Sequence, residues 1–353
     1  MQLPVMPPLA PMLAKAVPVV PEPGSVAGGL LYEPKWDGFR CLVFKDGDDV
    51  ELGSRGSKTL QRYFPELVEA VREHLPKRCV VDGEIILRRG TPGAQRLDWD
   101  LLAQRIHPAQ SRITRLAGET PAELVAFDLL ADGDLSLLDE PFGGRRARLE
   151  QLLGGLDRSA PVHLTRVTDD AALAHTWFEA FEGAGLDGVV AKPLAATYQP
   201  GKRIMLKVKH ARTAEAVVVG YRRHKSGQGV GSLLLGLYDE SGQLRQVGGA
   251  SAFTDKRRLE LIDELAPFVV RDDAGEPVVE QGERSRFSAS RDVTWVRLRP
   301  ELVVEVKYDQ MEAGRFRHSV QVARWRIDRE PPSCTYDQLE RPLAYDLDAV
   351  LEG

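Results

Sequence analysis

The periodicity of apolar residues changes once along this chain, near residue 212, and this change constrains the fold more than any other feature. From Leu30 to that point, short apolar segments typical of strands are interspersed with longer segments that have the period of amphipathic helices. Beyond it, short strands follow one another through turns rich in Gly, Ser and Asp. We therefore predict an α+β domain over residues 1–211 and a small β-barrel domain over residues 212–353.

Four segments have helical periodicity. They cover residues 64–75, 145–156, 170–181 and 255–269. The third is expected to begin at the capping run Thr168-Asp169-Asp170 and the fourth at Thr254, because side-chain oxygens at these positions accept hydrogen bonds from the first turn of a helix.

The composition excludes several classes of protein. No segment approaches the roughly 20 apolar residues of a membrane span, and the N-terminal segment lacks the basic region of a signal peptide. The cysteines Cys41, Cys79 and Cys334 have no pair or metal-binding spacing, which is typical of a reducing compartment. We expect a cytoplasmic protein that does not associate with a membrane.

Cations are concentrated in one part of the chain. The formal net charge is −5, yet residues 201–212 contain five Lys or Arg and no acid. Such a cluster in a mildly acidic protein suggests a local site for a polyanion, whereas the plainer interpretation is a solvated strand face.

One lysine stands in a distinctive context, the run from Glu33 to Arg40 (EPKWDGFR), directly after an apolar stretch. Lysine becomes nucleophilic when it is desolvated or lies beside other cations. Lys35 is therefore a candidate nucleophile, although Lys-x-Asp-Gly by itself is a weak signal.

Several predicted strands carry ionisable or aromatic residues that could form a site. Strand alternation places Asp82 and Glu84 on one face, where a carboxylate could bind a ribose hydroxyl or hydrated Mg²⁺. Phe127 could stack on a base, although a core position is the plainer interpretation. Alternation also places Lys207 and Lys209 together, where two cations could hold a phosphate or could simply protect an edge strand.

The order of these motifs resembles that of the covalent nucleotidyltransferase superfamily, which comprises ATP-dependent DNA ligases, RNA ligases and mRNA capping enzymes. The resemblance runs from Glu33 to Lys209, includes Asp187-Gly188-Val189-Val190-Ala191-Lys192, and continues at residues 324–329 (RWRIDR). Within the superfamily the chain is most similar to small two-domain bacterial ATP-dependent DNA ligases of the actinobacterial ligase C type. The resemblance implies an ATP-grasp-like nucleotidyltransferase (adenylation) domain over residues 1–211 and an OB-fold β-barrel domain over residues 212–353.

The resemblance also implies an activity. The enzyme would seal 5′-phosphate/3′-hydroxyl nicks through lysyl-AMP and DNA-adenylate intermediates, in DNA repair, with ATP and with Mg²⁺ or Mn²⁺. Its substrate would be nicked duplex DNA, including nicks with ribonucleotides. Its partners would be a repair polymerase or primase or end-binding proteins, and it would act as a nucleoid-associated monomer.

Roles follow for individual residues by the same resemblance. Lys35 would attack the α-phosphate of ATP. The remaining nucleotide contacts would come from Glu33 at the adenine edge, Phe127 and Val190 on the two faces of the ring, Glu84 at the ribose, Arg40 and Arg55 at sugar or the 5′-phosphate of the nick, Lys192, Lys207 and Lys209 at the α-phosphate, and Arg326, Asp328 and Arg329 at the pyrophosphate. Glu84 and Asp187 would contact the metal.

The chain departs from the superfamily pattern at Asp187, where Glu is usual, at Arg329, where Lys is usual, and at Met205, where Trp is frequent. The shorter Asp187 side chain would reach a metal through water. Two alternatives stay open: an RNA ligase or other polynucleotide nucleotidyltransferase such as a capping guanylyltransferase, and a non-catalytic OB-fold nucleic-acid-binding protein.

Overall fold

A computed structural model describes residues 1–56, 59–157, 159–210, 212–282, 294–312, 314–339 and 343–351. The chain divides into two compact units. The first contains residues 1–209 and the C-terminal segment that begins at residue 342, and the second contains residues 210–341. Among the described residues, no helix is long and apolar enough to cross a membrane.

The first unit is built from two large sheets, a two-stranded sheet formed by β6 and β7, and the helices that cover them. Its strands are β1 (Leu13–Ala16), β2 (Leu30–Pro34), β3 (Phe39–Asp46), β4 (Asp49–Ser54), β5 (Arg78–Ile86), β6 (Arg88–Arg89), β7 (Arg96–Leu97), β8 (Glu123–Asp132), β9 (Leu135–Ser136), β10 (Val162–Leu164), β11 (Gly188–Pro193) and β12 (Arg203–Lys209). Its helices are α1 (Pro65–His74), α2 (Trp99–Gln104), α3 (Gln110–Glu119), α4 (Phe142–Leu153) and α5 (Ala171–Ala180). One sheet has the order β1-β12-β11-β2, and the other has the order β10-β8-β5-β3-β4.

The apolar residues of the first unit that the structure describes form three core clusters, two of which contain residues of both large sheets. The core between the larger sheet and its helices includes Leu52, Phe64, Val81 and Leu124. A buried lysine closes one end of this core, since Lys45 donates to the backbone carbonyls at the end of α1. Lys45 thereby links β3 to the C-terminal end of α1.

The second unit is a β-rich body with one α-helix among its described residues. Its strands are β13 (Arg212–Arg223), β14 (Val230–Tyr238), β15 (Leu244–Ala250), β16 (Val279–Gln281), β17 (Thr294–Arg297), β18 (Val303–Tyr308), β19 (Met311–Glu312), β20 (Arg315–Phe316) and β21 (Gln321–Trp325). The long strand β13 pairs with β14, β17 and β18, so that it curves between neighbours on both sides as a barrel strand does. Helix α6 (Asp255–Leu265) buries Leu261 and Leu265 against this sheet.

Helix starts agree with the capping expectations at two of the predicted helices. The Asp170 carboxylate accepts from the backbone of Ala172 at the start of α5, and the Thr254 hydroxyl accepts from Arg257 at the start of α6. Helix α4 begins three residues earlier than the periodicity predicted, because Pro141 precedes it and Phe142 is buried.

The C-terminal segment differs from the predicted extent of the second domain. Helix α7 (Leu347–Leu351) buries Leu347 and Val350 in the core of the first unit, beside Trp177 and Phe181. Backbone hydrogen bonding between Leu347 and Gln95 fixes it there. These residues therefore pack with the first unit, although they follow the second in sequence.

Candidate active site

Strand register places one row of candidate residues on a single face of the smaller sheet. Val190 of β11 is paired with Glu33 of β2 on one side and with Lys207 of β12 on the other. Because directly paired residues point to the same face, the three side chains form a continuous row. Met205, two residues before Lys207, shares that face and is buried.

Lys35 directly follows β2 and is fixed by its backbone. Its N–H donates to the Gly188 carbonyl at 2.9 Å, and its own carbonyl accepts from the Asp187 N–H at 3.0 Å. Gly188 has a positive φ of 133°, and a Cβ there would lie 2.0 Å from the Val208 carbonyl oxygen. Only glycine fits this crossing of three strands, which explains the glycine of the Asp-Gly-Val-Val motif.

A buried carboxylate joins two lysines beside the candidate nucleophile. The Asp187 Oδ2 atom lies 2.5 Å from both Lys35 Nζ and Lys209 Nζ, and the Asp187 side chain is 5% exposed. Burial would raise the pKa of Asp187, but the charges of Lys35 and Lys209 outweigh it and hold this pKa below its ordinary value. Burial and the charges of Lys35 and Lys209 lower the pKa of Lys207. The site therefore collects three cations around one carboxylate.

The larger sheet supplies the opposite wall of the site. Arg40 of β3 and Glu84 of β5 are directly paired, and Phe127 belongs to the neighbouring β8. Gly38 lets this wall approach, because a Cβ there would lie 2.0 Å from the Ile85 carbonyl oxygen. This close approach explains the glycine of Lys-x-Asp-Gly.

One cavity in the first unit brings most of the predicted residues together. It is lined by Glu33, Lys35, Arg40, Arg55, Glu84, Phe127, Val190 and Lys207. Burial raises the pKa of Glu84 to about 7, against the opposing charges of Arg40 and Lys35. A carboxyl group that titrates near neutrality, next to a lysine in a cleft, is typical of a functional site.

Arg40 is held by a network that the sequence motifs did not reveal. Its Nε and Nη2 atoms donate to Asp82 Oδ1 and Oδ2 at 2.5 and 2.6 Å. The Tyr198 hydroxyl donates to Asp82 at 2.7 Å and accepts from the Met12 N–H at 2.9 Å. The Arg40 guanidinium consequently lies 4.4 Å from the centre of the Phe127 ring. Asp82 therefore serves to position Arg40.

Other lining residues come from segments without a recognisable motif. Pro11, Met12, Leu13 and Ala14 contribute to the cavity, as does Trp36, whose Nε1 donates to Thr165 Oγ1 at 2.8 Å. The involvement of residues 11–14 depends on the parallel pairing of β1 with β12, which joins residues almost 200 positions apart. No local pattern predicts such a pairing; the Trp36 position inside the Lys-x-Asp-Gly motif is the one signal available.

Lys192 is buried beside Glu33, and its contact with the α-phosphate stays a prediction. It is 2% exposed, does not line the cavity, and forms a 2.8 Å ion pair with Glu33 Oε1. Its Nζ also donates to the Phe127 carbonyl at 3.1 Å. Lys209 contacts Asp187 and likewise does not line the cavity.

The candidate residues of the second unit form their own ionic network. Arg326 donates to both oxygens of Asp328 at 2.9 and 2.8 Å, and it also pairs with Glu215 and Glu305. The hydrogen bonds from Arg326 lower the pKa of Asp328 to about 2. Arg329 lies 3.6 Å from Glu215. A role for these three residues at the nucleotide stays a prediction.

The site contains two carboxylates that could coordinate a metal ion whose other ligands come from the substrate and from water. Among the described residues, no group of three or more His, Cys, Asp and Glu forms a metal cage. Glu84 in the cavity and Asp187 beside Lys35 offer oxygen ligands, and Mg²⁺ commonly uses one or two carboxylates together with substrate phosphates and water. The donor set fits a metal that arrives with a nucleotide.

The cleft combines a lysine, a carboxyl group of raised pKa and clustered cations, which fits the transfer of a nucleotidyl group to lysine. Two family models match the chain: the ATP dependent DNA ligase domain over residues 11–209 and the ATP dependent DNA ligase C terminal region over residues 226–329. The chain therefore belongs to the ATP-dependent DNA ligase family. The enzymes of this family use ATP through a covalent lysyl-AMP and require a divalent metal, so the predicted class and cofactors are confirmed.

Curated relatives match along the whole chain. DNA ligase C1 of Mycolicibacterium smegmatis is 55% identical, and DNA ligase C of Mycobacterium tuberculosis is 52% identical; each alignment covers 100% of this chain and 99% of the relative. Among solved structures, a Lig E DNA ligase matches 90% of this chain and 99% of its own with a TM-score of 0.55 and 18% identity, which supports the fold. ATP-dependent DNA ligation is therefore the activity of this protein, as the motifs predicted.

Proposed function

We propose that the cleft of the first unit binds ATP and that Lys35 is the nucleophile that accepts AMP. The observation that carries this proposal is the position of Lys35, which lines the same cavity as the apolar side chains Phe127 and Val190 and the acceptor Glu33. Phe127 and Val190 come from opposite sheets and line this cavity together. This arrangement supports their predicted place on the two faces of a base.

The adenine end of the cleft contains an unpartnered acceptor. Glu33 Oε2 is buried without a hydrogen-bond partner, while Oε1 is held by Lys192. A buried polar atom without a partner is costly, and a ligand that donates to it removes that cost. The exocyclic amine of adenine is such a donor.

The chemistry at Lys35 requires a free amine and charge neutralisation. The amine nitrogen bonds to the α-phosphorus, the bond from that phosphorus to the bridging oxygen breaks, and pyrophosphate leaves. Asp187 lies 2.5 Å from Nζ, where it orients the amine and can accept its proton. Lys207 lines the cavity and is placed to neutralise phosphate charge. Glu84 and Asp187 would hold a divalent cation, which would supply further neutralisation of the triphosphate charge.

The substrate of the later steps is proposed to be nicked duplex DNA in a repair pathway at the bacterial nucleoid. The family membership supports this substrate, since DNA ligases act on nicked DNA. Acceptance of ribonucleotides at the nick, a repair polymerase, primase or end-binding partner, and a monomeric state stay predictions.

Incubation with α-labelled ATP, followed by a denaturing gel, tests the proposal. The wild type is expected to retain label, and Lys35→Ala is expected to retain none. Lys15→Ala is the matched control, because Lys15 belongs to β1 but is exposed and does not line the cavity. A labelled, acid-labile adduct in Lys35→Ala would contradict the assignment.

A further inference from the structure

The ion pair between Glu33 and Lys192 links two neighbouring strands of the smaller sheet at the cleft. Glu33 belongs to β2 and Lys192 to β11, and both side chains are almost fully buried at 5% and 2% exposure. The Lys192 ammonium also contacts β8, where it donates to the Phe127 carbonyl and lies 4.5 Å from the centre of the Phe127 ring. One ammonium group therefore contacts both the acceptor and the aromatic residue proposed to hold the base.

The ion pair also determines which carboxylate oxygen of Glu33 remains available to accept a hydrogen bond. Lys192 occupies Oε1, and Oε2 is left buried and without a partner in a residue that lines the cavity. A carboxylate can only accept hydrogen bonds, whereas a protonated carboxyl group can also donate one. Adenine presents a donor amine at its six position, and guanine presents an acceptor oxygen there. The state of Glu33 consequently determines which purine can pair with it.

We propose that Lys192 is a positioning residue that gives the enzyme its selectivity for ATP over GTP, by holding Glu33 as a charged acceptor in the lining of the cleft. The inference rests on the proposed nucleotide cleft and adds the origin of its base selectivity. Lys192 touches neither phosphate nor base in this arrangement. It acts through Glu33 and through the segment that carries Phe127.

The charge balance at Glu33 supports this role. Burial raises the pKa of Glu33, and the opposing charges come from Lys192 first, then from Arg146 of α4 and Arg40 of β3. Lys192 is the cation in hydrogen-bond contact, so its removal leaves a buried carboxyl group with weaker compensation. The pKa of Glu33 then rises further, so more of it is protonated and can donate to the O6 atom of guanine.

The test measures single-turnover self-labelling with α-labelled ATP and with α-labelled GTP. For each nucleotide, the labelling rate constant is divided by the nucleotide concentration. The value for ATP divided by the value for GTP is the selectivity ratio. In Lys192→Met, this ratio is expected to fall by about tenfold to a hundredfold, which corresponds to the loss of one hydrogen bond to a charged group. The loss should arise mainly through the apparent KM for ATP. Lys192→Arg keeps the charge and should recover most of the ratio.

A pH series separates this role from a merely structural one. In Lys192→Met the ratio should rise between pH 6 and pH 9, as Glu33 loses its proton, while the wild-type ratio stays flat. Titration of Glu84 cancels in the ratio, because both nucleotides carry the same ribose. Lys45→Met is the matched control: it removes another buried lysine of the first unit, at the end of α1, and should leave the ratio unchanged.

The outcomes separate this inference from the proposed function. A wild type that ATP does not label contradicts the nucleotide cleft itself. A labelled wild type together with Lys192→Met that keeps the full ratio at every pH contradicts only the role of Lys192. If Lys192→Met is insoluble, Lys192→Gln replaces it, since glutamine keeps a donor and lacks the charge, and the same change in ratio is required.

Discussion

Replacement of Asp82 by Asn tests how the cleft is held together. Asp82 is fully buried, and it accepts two hydrogen bonds from Arg40 and one from the Tyr198 hydroxyl. The substitution keeps the size of the side chain but removes its charge and one of its acceptors. The Arg40 guanidinium then lacks its counterion and is no longer fixed beside Phe127.

The expected loss of stability follows from the burial of this pair. Removal of one partner from a buried ion pair costs about 3–5 kcal/mol. Because the Arg40 side chain is 21% exposed and can recover some solvation, the lower end applies, about 3 kcal/mol. For a unit of this size, that loss lowers the midpoint of thermal unfolding by roughly 6–12 °C.

Calorimetry of the protein without covalently attached AMP measures this effect. The transition of the first unit is recognised because a bound ATP analogue raises its midpoint temperature. Tyr198→Phe is the graded control: it removes one hydroxyl from the same carboxylate and should cost about 1 kcal/mol, or roughly 2–4 °C. Self-adenylylation by Asp82→Asn should also slow, because Arg40 loses its position in the cleft. An unchanged midpoint and an unchanged rate would refute the reasoning that Asp82 anchors Arg40.

Three further predictions concern the charged residues of the two units. Asp187→Ala should raise the concentration of Mg²⁺ or Mn²⁺ that gives half-maximal activity, whereas Asp187→Glu should be tolerated; equal metal titrations for wild type and Asp187→Ala would exclude the metal role. Because the pKa of Glu84 is raised to about 7, wild-type self-adenylylation should increase through pH 7 as this group ionises, and Glu84→Gln should lack that rise. The same raised pKa means that the stability contributed by neutral Glu84 is lost as pH increases toward 7, so Glu84→Gln should gain stability relative to wild type between pH 5 and pH 8, as measured by urea unfolding. A double variant with Arg326→Ala and Arg329→Ala should self-adenylylate slowly yet still seal a pre-adenylylated nick, and an equal loss in both assays would assign these arginines to structure or to DNA binding.

The strand pattern predicted much of the cleft because its residues obey simple alternation. Val190 and Lys207 come to one face through a regular antiparallel register, and neither needs an unusual backbone. The order of the motifs then associated these strands with nucleotide transfer before any contact was known. Alternation could not show that Lys192 pairs with Glu33 and does not line the cavity, because it cannot tell whether a side chain reaches a cleft or packs beneath it.

The remaining parts of the site depend on contacts between distant segments. Tyr198 belongs to no motif, yet it contacts both Met12 and Asp82, each of which precedes it by more than a hundred residues. The C-terminal helix likewise returns to the first unit through Leu347 and Val350, although its sequence follows the second unit. Local periodicity contains no information on such partners.

The sequence by itself determined the family, the nucleophile candidate and the strands that carry the cleft, since these depend on local alternation and on the order of short motifs. Only the tertiary structure decided which charges meet: Asp187 with two lysines, Asp82 with Arg40, and Glu33 with Lys192. The physical reason is that the strength of an ion pair, and the pKa of each group in it, depend on burial and on distances of a few ångströms. Strand pairing within each sheet sets these distances, and the packing of the sheets sets the burial.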